Sequence, residues 1–218
     1  MKGLKWLVFV FVLLIPVAYY FVQPKEKSLP IINPVDVNDS LVDPELLRLG
    51  YGHTIQPFKF LNQDSVLVTD ADFDERIWVA EYFFTTCGSI CPIMTQQMMR
   101  VQERFKTDGE LQILSFTVYP EVDQPAQLKR YAKAHKAELP QWQFLTGKKE
   151  DLYSLARKSF FLLKPAEAKN LGDAGSDFIH TNNFVLIDKQ KRIRGYYDGT
   201  DSLSVDELME DIEILKKE

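Results

Sequence analysis

The chain has 218 residues, 45% hydrophobic and 26% charged, with 10 Gly and 11 Pro, which excludes a disordered, collagenous or coiled-coil protein. Residues 1–22 carry Lys2 and Lys5 and no acid; the remainder has 24 basic and 31 acidic side chains, a formal −7. That balance lacks the Lys and Arg surplus that phosphate chains demand, so no nucleic-acid partner is expected. Two cysteines and three histidines exclude a disulfide-stapled scaffold and a multi-cysteine zinc module.

Residues 6–22 run without a charge or a side-chain amide behind the two lysines. The run lies at the short end of the roughly 17–25 residues that span a bilayer, where Pro16 is tolerable. A cleaved signal peptide shares the basic start and apolar stretch. However, this run ends in Ala18-Tyr19-Tyr20-Phe21-Val22, with no A-x-A-like cleavage site. The expectation is an uncleaved transmembrane anchor over residues 1–22, its lysines cytoplasmic by the positive-inside tendency. The segment lacks the Arg- and Ser-rich character of an organelle transit peptide. A bacterial cytoplasmic (inner) membrane protein follows, single-pass, with its domain on the periplasmic side.

Residues 23–50 read as a tether, polar at the start and interrupted by Pro30, Pro34 and Pro44. A globular domain is expected over 51–218. Residues 66–68 (VLV) suggest an outer strand or hairpin. Residues 77–84 (IWVAEYFF) read as a buried strand, running into Thr85-Thr86-Cys87-Gly88-Ser89-Ile90-Cys91-Pro92. A helix follows, with Pro92 in its first turn and Met94, Met98, Val101 and Phe105 on one stripe.

Residues 111–118 predict the next strand and 125–135 the next helix; 142–145 and 149–158 predict a third strand and helix. Residues 160–177, with Pro165, Gly172 and Gly175, read as a long loop. Residues 183–188 and 192–197 make a hairpin around Lys189-Gln190-Lys191, whose charge run through Arg194 reads as solvated. Residues 205–215 close the chain as an amphipathic helix. The order β-α-β-α-β-α-β-β-α implies a mostly parallel sheet with an antiparallel edge and helices on both faces. A thioredoxin-like α/β fold satisfies that order.

The chemistry concentrates at Cys87-x-x-x-Cys91-Pro92, where a strand meets a helix, ground on which α/β sheets bind ligands. A thiolate there is favoured by the positive end of the helix dipole. Two sulfurs four residues apart can converge on each other as a disulfide or on one metal. Inert buried cysteines are the bland alternative, but both cysteines of the chain sit at this one junction. His180, at the end of the long loop, is the natural third ligand; a solvent-facing loop histidine would look the same. Thiolates with imidazole suit copper, and zinc after it. His53 and His135 are weaker candidates, His135 sitting at a Lys-rich helix end. Met94, Met98 and Met99 could offer thioether sulfur, but their stripe reads as core.

Strand–FFTTCGSICPIMT–helix, then FTVYPEVDQPAQL, then FIHTNNFVLID, resembles the Sco/SenC family of membrane-anchored copper proteins, over roughly residues 50–218 plus the anchor. The resemblance implies that Cys87, Cys91 and His180 bind Cu(I) or Cu(II). It also implies a role: delivering copper to, or reducing the cysteines of, the binuclear copper site in subunit II of a cytochrome c oxidase or another copper protein. Gly88, Ser89 and Ile90 between the cysteines, Tyr119 before Pro120, and Ile179 before the histidine depart from acidic residues frequent in that family. They remove negative charge near the metal. The competing function is a membrane-tethered thiol–disulfide oxidoreductase without copper, one thiolate attacking a partner disulfide and the other resolving it. A peroxidase is weaker still, since Phe84 stands where a hydrogen-bonding threonine would be needed.

Overall fold

The computed structural model describes residues 28–38, 42–162 and 181–218. The expected anchor over residues 1–22 and the expected ligand His180 lie outside them. Among the described residues no helix is long and apolar enough to cross a membrane.

The runs of β-branched and aromatic residues become strands: β1 (Lys59–Asn62), β2 (Leu67–Thr69), β3 (Ile77–Phe83), β4 (Leu111–Thr117), β5 (Trp142–Thr146), β6 (Asn183–Ile187) and β7 (Ile193–Asp198). The helices are α1 (Pro44–Leu49), which falls inside the segment expected to be a tether, and, where 3.6-residue periodicity predicts them, α2 (Ile90–Arg104), α3 (Pro125–Ala134), α4 (Lys149–Lys158) and α5 (Ser202–Leu215). One sheet contains all seven strands, in the order β2-β1-β5-β4-β3-β6-β7. Strand β4 is parallel to β3, with Ile77 opposite Leu111 and Phe83 opposite Thr117, and parallel to β5 on its other side. The fold is thioredoxin-like: a mixed central sheet flanked by helices.

The sheet is less parallel than the element order predicts. Only β3–β4 and β4–β5 pair in parallel; β1–β2, β1–β5, β3–β6 and β6–β7 are antiparallel. The expectation missed β1, whose four residues hold only two buried side chains, Phe60 and Asn62, and so offer little periodicity.

Two successive crossovers, β3-α2-β4 and β4-α3-β5, advance in one direction, so their common hand places α2 and α3 on the same face. There Cys91, Met94, Met98 and Val101 of α2, with Leu128 of α3 and Val205, Leu208 and Ile212 of α5, cover Ile77, Val79, Ile113 and Phe144. Met94 and Met98 are core, as their spacing predicts. On the opposite face Leu152, Leu155 and Ala156 of α4 cover Trp78, Tyr82, Phe116 and Leu145.

The core also reaches back into the segment expected to be a tether. Leu29, Val42 and Leu46 are buried, and the Ile32 N–H donates to the Ile193 carbonyl at 2.8 Å. The charge run of the β6–β7 hairpin is likewise not all solvated. Arg194 is 3% exposed and pairs with Asp188 at 3.0 Å and with Glu218, while donating to the Leu29 and Pro30 carbonyls. Lys191 pairs with Asp70 at 2.6 Å and Asp74 at 2.8 Å. Arg194 thereby ties residues 29–30 and the C-terminal Glu218 to the hairpin, and Lys191 ties it to residues 70–74, roles that depend on tertiary neighbours and leave no local pattern.

Candidate metal and thiol site

Strand β3 is buried along its length and ends at Phe83; the chain then turns through residues 84–89 before α2 begins at Ile90. The Cys87 N–H closes this turn onto the Phe84 carbonyl at 3.2 Å. Thr86, Gly88 and Ser89 face solvent, and Gly88 has no atom within 4 Å of where a Cβ would stand. Pro92 lies in the first turn of α2, where its missing N–H costs no helical hydrogen bond. Helix geometry and the turn thereby bring the two sulfurs together at the N-terminus of α2.

Both thiols are free, but their environments differ. Cys87 is half-buried and its Sγ lies 3.6 Å from the Ser89 hydroxyl. Burial pushes its pKa up, but the Ser89 and Cys91 N–H groups and the Cys91 thiol outweigh it, aided by the Ser89 hydroxyl, and hold it at about 7. Cys91 is 4% exposed. Burial pushes it up to about 12; the Phe84 N–H opposes this, while the neighbouring Cys87 and Glu81 add to it. The pair therefore consists of one accessible, readily ionised thiol and one buried thiol that keeps its proton. That arrangement suits nucleophilic attack by Cys87, and it suits chelation of a soft cation that displaces both protons.

Two carboxylates beside the pair escaped the sequence reading. Glu81, in the middle of β3, is 1% exposed; its Oε1 accepts from Ser115 Oγ at 2.6 Å, and Ser115 Oγ accepts from Trp142 Nε1 at 2.8 Å. Its Oε2 is buried and has no hydrogen-bond partner among the described residues. Burial raises its pKa to about 7, against the lowering effect of the Ser115 bond. A lone acid inside an otherwise apolar strand was the available signal. Asp123, in the β4–α3 connection, is 0% exposed. Its carboxylate accepts from the Thr85 N–H (3.1 Å to Oδ2), from Thr85 Oγ1 (2.5 Å to Oδ1) and from Thr117 Oγ1 (2.6 Å to Oδ2). Nothing in the local sequence distinguished it from a solvated loop acid.

Of the three expected ligands, the structure brings Cys87 and Cys91 together. Among the described residues no three His, Cys, Asp or Glu side chains gather into a metal-binding group. The other two histidines stand in other surroundings. His53 Nε2 meets the Ser159 carbonyl at 2.9 Å and its ring packs on Phe161. His135 packs on Tyr131 with ring centroids 4.3 Å apart.

Comparison with known proteins places this geometry. The sequence profile of SCO1/SenC matches residues 49–217. The SCO1 protein homolog of Bacillus subtilis (strain 168) is 33% identical over 162 residues, 73% of this chain and 81% of the relative. A protein from Stutzerimonas stutzeri whose name refers to copper binding is 27% identical over 175 residues, 79% of this chain and 70% of that one. The solved structure of BsSco, a member of the Sco family of cytochrome c oxidase assembly proteins in which a disulfide switch was identified, superposes with a TM-score of 0.64 at 30% identity, covering 76% of this chain and 94% of that one. With the profile and the Bacillus subtilis relative both spanning most of the folded domain, this chain belongs to the SCO1/SenC family.

Proposed function

We propose that this protein is a copper-delivering assembly factor that holds copper through Cys87, Cys91 and His180. The observation that carries the reading is the pair of free thiols at one strand-to-helix turn, one accessible and one buried. Two sulfur donors with an imidazole form a soft set suited to Cu(I) and able to hold Cu(II). Family membership supports copper as the cargo, and the oxidase-assembly role of BsSco supports the binuclear site of cytochrome c oxidase subunit II as the recipient. Residues 1–22 would tether the domain to the outer face of a bacterial inner membrane. Alkaline phosphatase fused after residue 50 should then be active and a cytosolic reporter silent; the opposite pattern would invert the topology.

One observation favours a second reading, a thiol–disulfide reductase. The split between a thiol near pKa 7 and one near 12 is the division of labour between an attacking and a resolving cysteine. His180→Ala separates the two. Under the copper reading the variant loses Cu(I) in competition with a chelator by a factor of about 10–100 or more. If it keeps parental copper affinity, His180 is no ligand. If the parent binds no copper yet exchanges disulfides at the same rate as the variant, the reductase reading replaces the first.

A further inference from the structure

We infer that Asp123 is a positioning residue that sets the Cys87–Cys91 geometry from outside the motif, by clamping the base of the cysteine turn to the neighbouring parallel strand. The inference deepens the copper-and-thiol reading and rests on it.

The turn over residues 84–89 exposes three of its six members, Thr86, Gly88 and Ser89, to solvent. Its base is held instead. Thr85, two residues before Cys87, donates both its N–H and its hydroxyl to Asp123, and its hydroxyl oxygen accepts from Gln127 Nε2 at 3.0 Å. Asp123 is itself fixed by a turn in which its N–H donates to the Tyr119 carbonyl at 2.9 Å. Thr117 Oγ1 completes the arrangement, donating to Asp123 and accepting from the Tyr119 N–H at 2.9 Å. Phe83 and Thr117 are register partners at the carboxyl ends of β3 and β4, so the clamp joins the two connections that leave those ends.

A carboxylate is the group this place requires. Three donors converge on it, and only an acceptor-only group with two oxygens accepts all three. Asparagine keeps the shape but turns an N–H₂ toward at least one donor. Releasing Thr85 frees the turn, and Cys87 then samples positions away from Cys91. Both products of a close sulfur pair, the chelated copper and the disulfide, should weaken together, because both depend on the effective concentration of one sulfur at the other.

The test uses the full chain in detergent, with Cu(I) competition, the disulfide exchange equilibrium against dithiothreitol, and thermal unfolding measured on each variant. Asp123→Asn should bind Cu(I) about 10–100-fold more weakly, and its exchange equilibrium should move toward the dithiol by roughly threefold or more. Thr85→Val keeps the N–H bond and loses the hydroxyl, so it should fall between parent and Asp123→Asn; Thr85→Ser should restore the parental values. Thr117→Val takes away one of the three donors on Asp123 but leaves both Thr85 bonds, so it should weaken copper binding and exchange less than Thr85→Val does. Parental copper affinity and exchange equilibrium in Asp123→Asn or, should that variant not fold, in Thr85→Val would overturn the inference. So would a Thr117→Val variant that weakens copper as much as Thr85→Val does. If the parent binds no copper, the copper reading fails, and the exchange equilibrium alone decides on the clamp.

Discussion

Toward α4, the sheet presents Trp78, Tyr82, Phe116 and Leu145, and aromatic rings fill the space between. Toward α2, α3 and α5, the same strands present Glu81, Ser115 and Thr117 among their apolar residues, and the two cysteines sit above them. Phe116 meets Phe58, Phe60, Tyr82 and Phe160 with ring centroids 5.3 to 5.9 Å apart. Buried polar groups cost stability unless every partner is supplied. The face of packed rings contributes through burial and ring contact, with its Trp78 N–H and Tyr82 hydroxyl each bonded to a backbone carbonyl. The comparison teaches that one sheet divides its jobs unequally: both faces bury an apolar core, and the face toward α2, α3 and α5 also holds an acid, hydroxyls and thiols where they can act.

That division can be broken most strongly from its apolar side. Phe116→Ala should destabilise the protein by about 3–5 kcal/mol in denaturant unfolding, while the folded variant keeps the parental reactivity of Cys87. A change in Cys87 alkylation rate as large as the change in stability would mean that the faces are coupled.

Glu81 tests the polar side. Its pKa is raised in the folded protein, from the ordinary 4.5 to about 7. The native state therefore binds more protons than the unfolded state between these values, and stability falls as pH rises through that window. The full difference is on the order of 3 kcal/mol. Glu81→Gln, a mimic of the protonated acid, should remove this slope and be the more stable protein at pH 8. An unchanged slope would assign it to another group.

A smaller effect sharpens the boundary of the domain. Removing residues 1–22 should leave stability unaltered, since they are the expected anchor and, among the described residues, burial starts at Leu29. Removing residues 1–31 exposes the place of Leu29 and strips two carbonyls from Arg194, and should cost about 2–3 kcal/mol. Equal stability of the two truncated proteins would return residues 28–31 to the tether.

The sequence made the strand-to-helix cysteine motif and the α2 stripe legible because both are local: sulfur spacing and 3.6-residue periodicity are visible within a dozen residues. The β3 and β4 strands were legible for the same reason, being seven-residue runs rich in apolar side chains, and the shorter β5 through Trp142, Phe144 and Leu145. What escaped is what tertiary neighbours decide. Strand β1 is too short to show a period, Leu29 and Val42 are buried by strands distant in sequence, and Arg194 looks like any hairpin cation until Asp188 and Glu218 enclose it. Asp123 is one acid in a loop; its partners Thr85 and Thr117 lie 38 and 6 residues away.

The central claim is that one close pair of thiols holds the metal, and Cu(I) competition against a chelator tests it most directly. Four forms of the full chain are compared: reduced, oxidised, Cys87→Ser and Cys91→Ser. The reduced protein should take one Cu(I) per chain. The other three should compete far more weakly, because a disulfide removes two ligands together and a serine hydroxyl is a hard, protonated and poor ligand for Cu(I). If the oxidised protein or either serine variant competes as well as the reduced parent, copper is held elsewhere and the account fails.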